Sequence, residues 1–245
     1  MEINLWEERD TMIKKIDHTL LGTAYHTWLQ SLFHFSYADY YQPYINKFGV
    51  IRVINDDILH VNSGHDLHKH RDVEILTYLI EGELTHTPKS DVPQKLTRGE
   101  LYYMSAGSGM EHAEFNWGEK PVRLLQLWIR PNQKNLSPKV EYGRFKRESR
   151  LNQWQCIVSG LKGIAKIKIH QELNIWVSEL EENKSLSFEV KPDRQAYLIQ
   201  IEGESMINNI AMVEKDGLEI FGESIQIKAI KSSYFIIIEM KSNEE

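Results

Sequence analysis

H-K-H-R-D-V-E-I-L-T-Y-L-I-E-G-E-L-T-H, residues 68–86, is the stretch that decides how this chain folds. From Asp72 onward it is rich in β-branched and aromatic residues, which suit a pleated surface, and Gly82 between two glutamates marks a turn or bulge. The local pattern predicts a hairpin over 72–86. Working outward, the polar residues 87–98 give way to G-E-L-Y-Y-M at 99–104, a second short strand, and then to the turn S-A-G-S-G at 105–109. The apolar run V-R-L-L-Q-L-W-I at 122–129 reads as a further strand that stops at Pro131. Short strands with frequent turns predict an all-β protein built as a small barrel or sandwich.

Two pairs within this frame carry chemistry. His68 and His70 are one residue apart, as are His112 and Glu114, and residues i and i+2 of a strand share a face. If both strands line one cavity, three imidazoles and a carboxylate meet at a point and leave coordination positions open. That donor set suits a divalent transition metal such as iron, copper, manganese or nickel. Lys69, between the two histidines, is expected to point away from the cavity.

The second half echoes the first. Y-L-I-E-G-E at 78–83 and Y-L-I-Q-I-E-G-E at 197–204 resemble each other, and each is followed by a polar stretch, a glycine and another apolar segment. The second unit has D-R-Q-A-Y at 193–197 where the first has its histidines, and its only histidine is His170, so it cannot build the same site. The expected division is a metal-binding domain over 1–135, a linker over 136–150 and a domain lacking metal ligands over 151–245, closed by the alternating runs 225–230 and 234–239.

Other residues carry weaker signals. Glu74 shares the parity of His68 and His70 and is expected either to support the site or to sit at the barrel mouth. His65 falls in S-G-H-D, read as an exposed loop, and His86 has no paired partner. Asn55, Asp56 and Asp57 suggest a turn with capping roles. Trp128, Tyr102, Tyr103 and Phe115 are expected in the core or lining the cavity.

Composition narrows the class of function. The net charge of -6 argues against direct nucleic-acid binding, which requires a basic surface; the Lys/Arg cluster at 139–150 reads as a solvated face. Cys156 is the single cysteine, so neither an intrachain disulfide nor a cysteine-rich zinc site can form. No apolar run has membrane-spanning length and the acidic, polar N-terminal stretch lacks a secretory signal, so the expected location is the cytoplasm.

The two quoted segments, together with F-S-Y-A-D-Y-Y (35–41), F-G-V-I-R-V-I-N-D-D (48–57) and L-Q-L-W-I-R-P (125–131), resemble the pirin family of bicupins. The resemblance implies two tandem jelly-roll cupin barrels packed together. It also implies a metal, usually iron, on His68, His70, His112 and Glu114, and either of two roles. Some members oxidise the flavonol quercetin with dioxygen; others are transcriptional co-regulators. The expected function is therefore a metal-dependent dioxygenase acting on a flavonol or related enol, with Glu114 serving as both ligand and proton acceptor. A metal- or redox-dependent regulatory protein with a protein partner is the alternative. A monomer is the default state. Three features depart from the family pattern: Lys69 replaces a common proline, T-P-K-S-D-V-P-Q (87–94) replaces a loop that borders the pocket, and residues 10–30 form a longer lead-in, readable as a lid, a swapped arm or a plain extension.

Overall fold

The structure, a computed structural model, describes residues 12–89 and 92–242. Its strands form four sheets, two in each half of the chain. The larger sheet of the first half runs, edge to edge, β12 (Lys139–Gly143), β9 (Leu101–Ser105), β6 (Glu74–Glu81), β11 (Val122–Ile129), β4 (Ile51–Leu59), β3 (Leu29–Phe33) and β2 (Gly22–Tyr25). Facing it are β5 (Ser63–His70), β10 (Met110–Asn116), β7 (Leu84–Pro88) and β8 (Gln94–Leu96). The second half repeats the plan. Its larger sheet runs β1 (Ile13–Ile16), β20 (Gly217–Phe221), β17 (Arg194–Glu202), β22 (Ser233–Lys241), β15 (Leu173–Leu180), β13 (Gln155–Gly160) and β14 (Ile167–Ile169). Its smaller sheet runs β16 (Ser185–Phe188), β21 (Ile225–Ala229), β18 (Glu204–Ile207) and β19 (Ile210–Val213). Each half is thus a two-sheet jelly roll and not a closed barrel, which makes the chain an all-β bicupin.

The predicted hairpin over 72–86 is not one. β6 bonds to β9 and β11, whereas β7 bonds to β10 and β8 in the facing sheet. Gly82, with φ of 84°, turns the chain from one sheet to the other, and a Cβ there would lie 2.8 Å from the Pro121 carbonyl oxygen. The echo of the motif has the same geometry: Gly203 has φ of 83° and ends β17. Alternation within a segment sets which face each residue occupies, but not which strand lies beside it.

β6 is buried on both faces, which explains its nearly unbroken apolar run. Ile75 and Leu79 fill the jelly-roll interior with Leu59, Leu84, Tyr102 and Leu124. Leu76, Tyr78 and Ile80 point the other way, into a second core shared with Ile175, Val177, Tyr197, Ile199, Ile236 and Ile238 of the second half. The two larger sheets therefore pack against each other, and the repeated tyrosines Tyr78 and Tyr197 both sit in that shared core. Tyr78 there hydrogen-bonds to the hydroxyl of Tyr234.

Chain ends tie the halves together. β1 extends the second half's larger sheet through β20, while β2 extends the first half's through β3, so the described part of the lead-in is a swapped arm; residues 10 and 11 lie outside the described residues. Lys15 Nζ fastens the arm to Asp216 at 2.7 Å and to the Ala211 carbonyl at 2.8 Å. Within the segment read as a linker, β12 pairs with β9 of the first half, and a 3-10 turn follows at Arg147–Ser149. Of the loop at 87–98, residues 90 and 91 are outside the description; β8 occupies Gln94–Leu96.

Candidate metal centre

β5 and β10 are adjacent antiparallel strands, with His112 directly opposite His68 and Met110 opposite His70. Cross-strand partners and i, i+2 neighbours share a face, so all three imidazoles project from one side of the sheet. Their ligating nitrogens come within 4.8 Å of one another. Ring centroids are separated by 4.7 Å for His68 and His70, 4.6 Å for His68 and His112, and 5.0 Å for His70 and His112. Lys69 points outward and is exposed.

Each ring is held by its other nitrogen or by a neighbouring ring. His68 Nδ1 donates to the Asp66 carbonyl at 2.7 Å, which turns Nε2 toward the cluster. His70 packs edge-on against Trp128 at 5.0 Å. His112 Nδ1 lies 2.7 Å from His86 Nε2, and its own Nε2 is buried without a hydrogen-bond partner among the described residues. Burial, reinforced by the neighbouring imidazoles, lowers His70 to about 4 and His112 to about 2. Both rings are therefore neutral at ordinary pH, the state in which imidazole binds metal. Three converging imidazoles with a buried, unsatisfied nitrogen among them fit a divalent transition ion.

Glu114 occupies the interior behind His112. Its carboxylate oxygen comes within 4.8 Å of ligating nitrogens of His86 and His112, while His68, His70 and His112 form their own group. One oxygen accepts from the Thr77 hydroxyl at 2.7 Å and the other from Gln126 Nε2 at 3.0 Å. Gln126 is oriented in turn by Trp128, whose indole N–H donates to its Oε1 at 3.1 Å. Thr77 and Gln126 are register partners on β6 and β11. Burial raises the Glu114 carboxyl above its usual value, against the lowering effect of Thr77, His68 and Gln126.

Several residues stand where the sequence reading did not put them. His86 is fully buried on β7, stacks on Tyr102 with ring centroids 3.3 Å apart, and is lowered to about 3 by burial and by His68. His65 is in a strand and not a loop. The pairing of β5 with β10 slips by one residue between His112 and Glu114, so His65 pairs with Glu114 and joins the histidine face despite its odd spacing from His68. Its ring lies 5.8 Å from His68 and edge-on to Trp28 at 4.9 Å.

Glu74, by contrast, lies far from the cluster in function. Its Oε1 accepts from Tyr103 and from the backbone N–H and Nδ1 of His170 at 2.9 and 3.0 Å, at the junction of the two halves. Parity with His70 fails because Asp72, with φ of 52°, reverses the chain between the two sheets. Asn55, Asp56 and Asp57 form no turn; they are buried in the middle of β4. Asp56 faces the second half, and Asn55 and Asp57 face inward. Phe115 stacks on the exposed Trp117 and not in the interior.

Beside the cluster opens a cavity of about 550 Å³, bounded by the end of β2 and the following residues, by residues 37–40, and by Asn55, Asp57, His65 and Gln126. The last two connect it to the histidines and to Glu114. Thr77 and Gln126 had a legible signal in the sequence, as polar residues inside strongly apolar strands.

Comparison with known proteins agrees with this architecture. A family model described as Pirin matches residues 15–129, and one described as Quercetinase C-terminal cupin domain matches residues 156–240. An Escherichia coli protein named quercetin 2,3-dioxygenase is 31% identical over 221 residues, 89% of this chain and 94% of its own length. A pirin-like protein of Caulobacter vibrioides is 30% identical over 93% of this chain and 99% of its own. The crystal structure of the Escherichia coli bacterial pirin YhhW in complex with nickel(II) superposes with a TM-score of 0.88 at 31% identity, covering 95% of this chain and all (100%) of that one. The fold and these matches together establish that this chain belongs to the pirin family.

Proposed function

We propose that this protein is a metal-dependent dioxygenase that acts on a flavonol such as quercetin, or on a related enol, with dioxygen. The observation that carries this reading is the convergence of His68, His70 and His112, with the unsatisfied Nε2 of His112 among them, beside a cavity large enough for a small aromatic molecule and joined to it through His65 and Gln126. The three histidines, with Glu114 as a fourth donor, would hold one divalent ion, iron(II) in the first instance. Bound there, the metal supplies a Lewis acid that lowers the pKa of a coordinated hydroxyl and a site for reaction with oxygen.

The chain's own residues do the rest. Thr77 and Gln126 fix the plane of the Glu114 carboxylate, and each of its oxygens retains a lone pair for a metal or a proton. Its upward-shifted pKa makes Glu114 the group that takes the proton from the substrate hydroxyl and keeps it out of water. The aromatic side chains of the cavity, Trp28, Phe33, Tyr37 and Tyr40, give a planar substrate faces to pack against. The names of the relatives support the same substrate class. Among the described residues no helix is long and apolar enough to cross a membrane, and we place the activity in the cytoplasm.

Metal analysis of protein purified without an affinity tag or chelator, followed by oxygen uptake on adding quercetin, tests the proposal. Near-stoichiometric metal with substrate-dependent uptake is expected, and Glu114→Gln should abolish most of the uptake. Metal without uptake favours a regulatory protein; no metal after anaerobic reconstitution overturns the metal centre itself.

A further inference from the structure

One wall of the cavity, next to Gln126, contains two side-chain oxygens for which the described residues supply no hydrogen-bond partner. Asn55 and Asp57 are successive inward-facing residues of β4, 2% and 3% exposed, and both line the cavity. Neither Asn55 Oδ1 nor Asp57 Oδ1 has a hydrogen-bond partner among the described residues. Burying one such acceptor is costly and burying two side by side is unusual, unless a ligand supplies the donors. Backbone pairing does not require polar side chains here: the register partner of Asp57 on β11 is Leu124, and the next inward residue of β4 is Leu59.

The surroundings say what kind of ligand this is. Trp28, Phe33, Tyr37 and Tyr40 line the same cavity, with Phe33 5.4 Å from Tyr37 and 6.3 Å from Tyr40. Tyr37 sets its edge against Trp128 at 5.6 Å, and Trp128 in turn packs on His70, so this aromatic wall leads directly to the cluster. Aromatic faces favour a planar ring, and paired acceptors beside them favour one that bears hydroxyl groups.

We infer that Asn55 and Asp57 are specificity-determining residues, whose side-chain oxygens accept hydrogen bonds from hydroxyls on a ring of the substrate. The inference rests on the flavonol reading above for the aromatic character of the ligand. It adds which residues choose among such ligands, and it predicts that stripping the ring they contact of hydroxyls weakens binding, because the two buried oxygens are then left unpaired.

Equilibrium dialysis of the metal-loaded protein under anaerobic conditions tests this without turnover. The probes are quercetin, its analogue lacking the hydroxyls of the pendant ring, and its analogue lacking those of the fused ring. The wild-type protein should bind quercetin about tenfold more tightly than one of the two analogues, and Asp57→Ala and Asn55→Ala, each of which removes an acceptor oxygen, should each reduce that ratio several-fold. Thermal melting checks that both variants remain folded, and either one suffices. Equal binding of all three probes by the wild type, or an unchanged ratio in the folded variants, overturns the inference. Discrimination without oxygen uptake would leave the inference standing and remove the dioxygenase reading; uptake without discrimination would do the reverse.

Discussion

His86 shows what a single side chain contributes without touching the cluster's open face. Its Nε2 lies 2.7 Å from His112 Nδ1; a metal on Nε2 of His112 would place the ring's proton on Nδ1, and His86 Nε2 would then accept it. Replacing His86 with Phe keeps the stack on Tyr102 but removes the acceptor; metal affinity should fall roughly 10–100-fold, measured by competition with a chelator. A second residue prediction concerns Asp57. Burial raises its carboxyl from 3.8 to about 7, with the Ser31 hydroxyl opposing and the Asp56 and Glu114 charges adding. A pKa higher in the folded than in the unfolded state costs nothing below pH 4, costs progressively more from there to about 7, and is constant above. Asp57→Asn should therefore melt higher than the wild type at pH 8, with the gap closing toward pH 4. The convergence of His68, His70 and His112 was legible in the sequence because i, i+2 spacing is a local signal. His86 and Asp57 were not, because what makes them matter is a partner on another strand.

Strand existence was legible and strand partnership was not. The segments 68–86, 99–104 and 122–129 all contain the strands their patterns predict, yet β6 and β7 part company at Gly82, and β12 lies in a stretch whose Lys, Asn and Pro content reads as a connector. The slip in β5 is the most consequential such event. One extra residue between His65 and His68 puts both on one face, an arrangement that a period of two forbids. Gly64 makes that pairing possible: a Cβ there would lie 2.0 Å from the Glu114 carbonyl oxygen and 2.7 Å from the Phe115 Cα, both backbone atoms that cannot swing aside. Gly64→Ala should cost about 1–3 kcal/mol of stability in denaturant melts, since β5 must move away from β10. The same displacement separates His68 from His112, so metal affinity should fall with stability.

At the scale of the whole molecule, the repeat in the sequence shows two like units but not that they share a core. Glu74, Leu76, Tyr78 and Ile80 of β6 face the other half as closely as Ile75, Thr77 and Leu79 face their own, so neither half has a complete surface alone. Arg123 is the polar counterpart of that apolar contact. Its guanidinium donates to both carboxylate oxygens of Asp56 at 2.9 and 2.7 Å within the first half, and to the Ile201 carbonyl at 3.0 Å and Glu214 at 2.7 Å in the second. Asp56 is buried, and removing its partner would strand a charge between the two sheets. Arg123→Ala should accordingly destabilise by about 3–5 kcal/mol, whereas Arg123→Ala combined with Asp56→Ala should cost less than the sum of the two single changes. Urea unfolding followed by tryptophan fluorescence checks both, since Trp28 and Trp128 report on the first half and Trp154 and Trp176 on the second. The shared core further requires that the halves unfold together. A single transition in the wild type, retained at lower urea in Arg123→Ala, is the expected outcome, and two separated transitions would mean that each jelly roll is stable without the other.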